Sequence, residues 1–175
     1  MLRPNVLLIA GTGTKSGKTT LACRIIEQFR HLKPVAVKIS PHFHEVTPGL
    51  VPVHLEPAYS IYRESDNNSV KDTSRMLRSG AGEVYFAQVH DDRLAFVFEQ
   101  IYCHTGKDSP VICESPALGN YVEPGVLLII TSESAKKYKD ISQLLQHRHQ
   151  IIRFEELGEM KEIPVDFING GWIYK

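Results

Sequence analysis

Val6-Leu7-Leu8-Ile9-Ala10 is an unbroken apolar run rich in branched side chains. Bounded by Gly11, it reads as a strand buried on both faces, as in a parallel sheet. Beyond a glycine-rich turn the period changes. Leu21, Ile25, Phe29 and Leu32 recur at helical spacing, with Arg24, Glu27 and Gln28 on another face, so 18–32 is predicted helical. Residues 34–39 give a second strand, and strand, helix, strand in so short a span make a βαβ unit. Further strands are expected at 83–89, 110–113, 125–131, 150–154 and 165–168. Helices are expected at 71–79, 91–104 and 134–147. Segment 41–69 has a different texture. Pro41, Pro48, Pro52 and Pro57 interrupt it, its apolar residues lack a clear period, and it is predicted to be an irregular excursion. This alternation predicts one α/β domain over 1–175, a three-layer sandwich with a mostly parallel sheet.

Composition narrows the partners. The chain has 175 residues, 42% hydrophobic, with 20 Lys plus Arg balancing 20 Asp plus Glu. A net charge of zero offers no broad field for nucleic acid or anionic membranes, so a phosphate-bearing ligand needs a local site. Cys23, Cys103 and Cys113 are three in number and far apart, which argues against a disulfide framework. The first apolar run is too short for a membrane span. A cytoplasmic, soluble protein is the expectation.

The chemistry concentrates in Gly11-Thr12-Gly13-Thr14-Lys15-Ser16-Gly17-Lys18-Thr19-Thr20. Gly17-Lys18-Thr19 follows a buried strand and opens a helix, the context of a phosphate-binding loop, which makes a three-layer P-loop NTPase fold the expectation. Glycines let backbone N–H groups face phosphate oxygens, and the helix N-terminus adds its positive end. Lys18 is the candidate for the β- and γ-phosphates, and Thr19 for Mg²⁺. The ligand would be GTP or ATP with Mg²⁺. The usual pattern places glycine five positions before Gly17, where this chain has Thr12, flanked by Gly11 and Gly13.

That loop resembles the G-T-x-T-x-x-G-K-T loop of dethiobiotin synthetase and its relatives. The resemblance implies a wider class that includes Mrp/MinD-type ATPases and metal-insertion GTPases. The lysine that marks the MinD-type loop would fall at Gly13, which weakens a partition-ATPase reading. Val111-Ile112-Cys113-Glu114 ends a strand in a carboxylate, and Glu114 is the candidate for the magnesium shell and hydrolysis. The following residues, through Asn120, resemble the family's E-G-x-x-x segment, with Ser115 in place of glycine. Lys38, at the end of the second strand, would point toward the phosphate crevice.

Lys38, His42 and His44, then Asp72, Thr73, Arg75, Gly80 and Ala81, follow a second pattern. It is similar to the molybdopterin-guanine dinucleotide biosynthesis protein B family, from Leu7 to about Ile130. That resemblance implies an accessory GTPase of molybdenum-cofactor guanylylation and a partner protein from that pathway. It makes Asp72 a further candidate for the metal shell. His42, His44 and Glu45 are an alternative metal cluster. No Asn-Lys pair follows 127–130 to mark guanine, and Asn169 to Trp172 is either a base contact or a turn.

Three functions stay open: an accessory NTPase, a dethiobiotin-synthetase-like ligase or small-molecule kinase, and a regulatory P-loop module without chemistry. The texture of 41–69 suits a mobile docking segment or dimer arm. It favours the accessory reading and a homodimer.

Overall fold

The structure, a computed structural model, describes residues 1–136 and 140–175. The strands are β1 (Leu2–Gly11), β2 (Val35–Ser40), β3 (Leu50–Glu56), β4 (Tyr59–Glu64), β5 (Glu83–Val89), β6 (Val111–Glu114), β7 (Glu123–Thr131), β8 (Gln150–Arg153), β9 (Val165–Ile168) and β10 (Gly171–Tyr174). The helices are α1 (Lys18–Gln28), α2 (Asp72–Arg78) and α3 (Leu94–Tyr102).

Eight strands join in one sheet, in the order β3-β4-β5-β2-β6-β1-β7-β8. β1 lies inside, parallel to β6 and β7, as its two-faced apolar run requires. β2 runs parallel to β5 and β6, and β8 parallel to β7. The β4 pairings with β3 and β5 are antiparallel. Alternate residues of β1 serve opposite cores. Leu7 and Ile9 pack with Leu21, Ile25 and Ile26 of α1 and Met76 of α2. Val6, Leu8 and Ala10 pack with Leu94, Val97, Phe98 and Ile101 of α3. The molecule is therefore α/β, a mostly parallel sheet flanked by helices on both faces and compatible with a three-layer sandwich. Among the described residues no helix is long and apolar enough to cross a membrane.

Two expectations need correction, at 41–69 and at 134–147. Segment 41–69 is not irregular throughout, because it carries the β3–β4 hairpin that extends the sheet. Pro52 had argued against a strand, but β3 is an edge strand, where a missing N–H is tolerated. The strand predicted at 165–168 does form, outside the main sheet, as a two-stranded hairpin with β10. Finally, the helix expected at 134–147 is absent from its described part. Lys136 bridges to Thr14, and the only helical turn described there is a 3-10 turn at Leu144–Gln146. Residues 137–139 lie outside the described residues.

Candidate functional site

The carboxyl ends of β1, β2 and β6 are neighbours in the sheet. Register pairs Ile9 with Glu114 and Lys38 with Glu114. Adjacent strands thus deliver Lys38 and Glu114 to one crevice, beside the Gly11–Thr20 loop that leaves β1.

The loop is held by its own chain. Thr12 N–H donates to the Ile130 carbonyl at 3.3 Å, and Thr14 N–H to that of Lys136 at 2.8 Å. Ser16, fully buried, donates through its hydroxyl to the Gly13 carbonyl at 3.1 Å. Lys15 (φ 60°) and Gly17 (φ 93°) both take the left-handed conformation. Alternating hands along a short stretch turn successive N–H groups to one side. Lys18 Nζ donates to the Gly13 carbonyl at 2.7 Å and to Ser16 Oγ at 3.2 Å, across the mouth of the loop.

The position of Gly11 explains the tolerance of Thr12. A Cβ on Gly11 would lie 2.4 Å from Ser16 Oγ and 2.8 Å from Lys18 Cγ. The lysine stem passes directly over Gly11, so glycine is required one residue earlier than in the usual pattern.

Thr19, Lys38, Asp72 and Glu114 come together. Thr19 Oγ1 donates to Glu114 Oε2 at 2.8 Å. Lys38 Nζ lies 2.5 Å from Asp72 Oδ2, 3.1 Å from Glu114 Oε1 and 3.4 Å from Thr19 Oγ1. Burial alone would lower the Lys38 pKa, but Glu114 and Asp72 more than offset it and hold it above its ordinary value. Burial likewise pushes the Asp72 carboxyl up. The charge and hydrogen bond of Lys38, with help from Thr19 and Arg75, outweigh that and hold it below the usual range.

Two carboxylates and a hydroxyl are the hard oxygen donors that Mg²⁺ takes, and an ammonium already sits where they meet. The donor set therefore fits a divalent cation, with Thr19, Asp72 and Glu114 as the protein's share. A cavity of about 440 Å³ opens here, lined by Lys18, Thr19, Lys38, Asp72, Arg75 and Phe154.

Other candidates separate. The His42 and His44 rings lie 6.0 Å apart. Among the described residues no group of three or more His, Cys, Asp or Glu is placed to hold a metal. Asn169 and Gly170 form the turn between β9 and β10, and Gly170 lies against Asp108, at the opposite end of the sheet from the loop. Trp172 is buried and donates to the Val111 carbonyl, so neither reaches the site. Ser115 is buried, and its N–H donates to the Ile9 carbonyl at 3.3 Å.

Arg75 of the second pattern lies 3.6 Å from Asp72 and donates to Thr20 Oγ1 at 3.3 Å, tying α2 to the start of α1. Sequence reading missed two contributors. Phe154 packs on Gly17, where a Cβ would meet its ring at 2.2 Å. Glu64, buried at the end of β4, accepts from Thr73 Oγ1 at 2.6 Å and from the N–H groups of Ser65 and Asp66. No local pattern marks Phe154 or Glu64, because each acts through a partner distant in sequence.

Comparison of the chain with known protein families, curated proteins and solved structures found no match.

Proposed function

We propose that the protein is a P-loop nucleotide-binding protein that cleaves the γ-phosphate of ATP or GTP with Mg²⁺. The observation that carries this reading is the meeting of Thr19, Lys38, Asp72 and Glu114 beside Lys18, at the mouth of a loop that opens a helix. In this reading Lys18 leaves the Gly13 carbonyl for the β- and γ-phosphates, a compact charge on a flexible stem. The loop N–H groups and the start of α1 bind the remaining phosphate oxygens. Thr19, Asp72 and Glu114 hold the metal, which when bound neutralises charge on the phosphate oxygens. Lys38 adds positive charge on the γ-phosphate side, and Arg75 holds Thr20 toward the same cavity.

Calorimetry with ATP and with GTP, each with and without Mg²⁺, tests the reading. Lys18→Ala is expected to weaken binding at least a hundredfold, about 2.7 kcal/mol. Thr19→Ala should reduce the Mg²⁺ dependence more than bare nucleotide binding. Glu114→Gln should slow hydrolysis about a hundredfold while the protein stays folded. A Lys18→Ala protein with wild-type affinity would sink the assignment.

A further inference from the structure

A second cavity, of about 300 Å³, adjoins the Lys38–Asp72 pair. Its size is at the lower end of the metabolite-site range. Lys38 and Asp72 line both this cavity and the loop cavity. The segment after β2 adds His44 and Glu45, the approach to α2 adds Lys71, and β5 adds Phe86.

The walls are fixed from behind. Gln88, buried on β5, donates to the His44 carbonyl at 2.9 Å and accepts from Ser60 Oγ of β4 at 3.1 Å. Glu64 holds Thr73, the residue after Asp72. Segment 41–69 thus supplies part of this cavity's wall, through His44, Glu45, Thr47 and Leu50.

The geometry points to this cavity as the binding site of a small amino-carboxylate that accepts the γ-phosphoryl group. The inference rests on the nucleotide reading above. Charge supports the ligand class. Among the described residues Lys71 makes no ion pair, and neither does Glu45. One unpaired cation and one unpaired anion suit a zwitterion, its carboxylate toward Lys71 and Lys38 and its ammonium toward Glu45. Placement supports the reaction. Lys38 Nζ is 3.4 Å from Thr19 Oγ1, so a carboxylate held on Lys38 lies beside the γ-phosphate side of the loop. In-line transfer needs the reacting atoms brought to about 3–3.5 Å. A carboxylate oxygen forms the new bond to the γ-phosphorus with its own electron pair. The bond from that phosphorus to the β–γ bridging oxygen breaks, and its pair stays on the nucleoside diphosphate. No proton moves, and the product is an acyl phosphate.

The test is nucleoside diphosphate formation with Mg-ATP and Mg-GTP. The protein amino acids, β-alanine and γ-aminobutyrate are added singly at millimolar concentration, and hydroxylamine traps acyl phosphate as hydroxamate. At least one is expected to raise turnover about tenfold, with hydroxamate matching the diphosphate formed. Lys71→Ala and Glu45→Gln should each raise its half-saturating concentration about tenfold. If neither nucleotide binds in calorimetry, the nucleotide reading itself fails. If nucleotide binds and no compound stimulates, or both variants respond like wild type, this inference fails and the nucleotide reading stands.

Discussion

Gly11 and Gly17 are constrained for different reasons, and the difference is testable. Gly17 needs its positive φ and the space taken by the Phe154 ring, whereas Gly11 needs room for the Lys18 stem. Gly11→Ala should therefore disturb the lysine more than the backbone. The expected losses are about 2 kcal/mol of stability, a fall of roughly 4–8 °C in melting temperature, and about tenfold in nucleotide affinity. Unchanged affinity by calorimetry would show that the lysine stem does not depend on this gap. Lys38 carries a second prediction, in pH. Its folded pKa is raised above 10.5, so its contribution is complete below that value and is lost as pH rises through the raised one. The folded pKa of Asp72 is lowered below 3.8, so its contribution is present above that value and is lost as pH falls through the lowered one. Chemical unfolding without divalent metal should show stability declining at both ends. Lys38→Met should flatten both limbs and cost about 2–3 kcal/mol at neutral pH, below the figure for a fully buried pair because Asp72 is partly exposed. A Lys38→Met protein with both limbs intact would remove the ion pair as their cause.

At the scale of elements, α2 has seven residues, too few to be stable alone, yet it presents Asp72 and Arg75 to the site. Its anchors are Met76 in the core and the Thr73–Glu64 hydrogen bond. Glu64→Ala should leave Thr73 and two loop N–H groups without their acceptor, at about 2 kcal/mol. A melting temperature lower by roughly 4–8 °C is expected, and an unaltered melt would show that α2 does not need this tie. The strands of the parallel core were legible because continuous apolar runs have one stable placement. The β3–β4 hairpin was not, since β3 exposes Val51, Val53 and Leu55 and so lacks the alternation of a half-buried strand. Lys18, Thr19 and Glu114 were legible as candidates because each begins or ends an element at the carboxyl end of a central strand. The partnership of Lys38 with Asp72 was not, because it joins residues 34 positions apart across that hairpin.

For the whole molecule, the site depends on the hairpin staying docked, because β4 pairs with β5 and β5 with β2, which carries Lys38. Tyr59, Ile61 and Tyr62 bury their side chains from β4, whereas Phe43, just before the hairpin, is exposed against the His90 ring. Local stability follows buried contacts and ladder hydrogen bonds, so these two regions should open at different free energies. Chymotrypsin accepts Phe and Tyr, and each region offers such residues. In the native protein without nucleotide, cleavage is expected at Phe43 and not at Tyr59 or Tyr62. Under fast reclosing the cleavage rate reports the population of the open form. Cutting within β4 should therefore appear only at denaturant concentrations that also expose Trp172, the single tryptophan, buried on β10 against Phe29 and Phe167. Its fluorescence marks global unfolding in the same samples. Fragments ending at Tyr59 or Tyr62 while that fluorescence is still native would mean that the hairpin opens by itself. The wall it gives the second cavity would then not be fixed, and a docking arm would be the better description of residues 41–69.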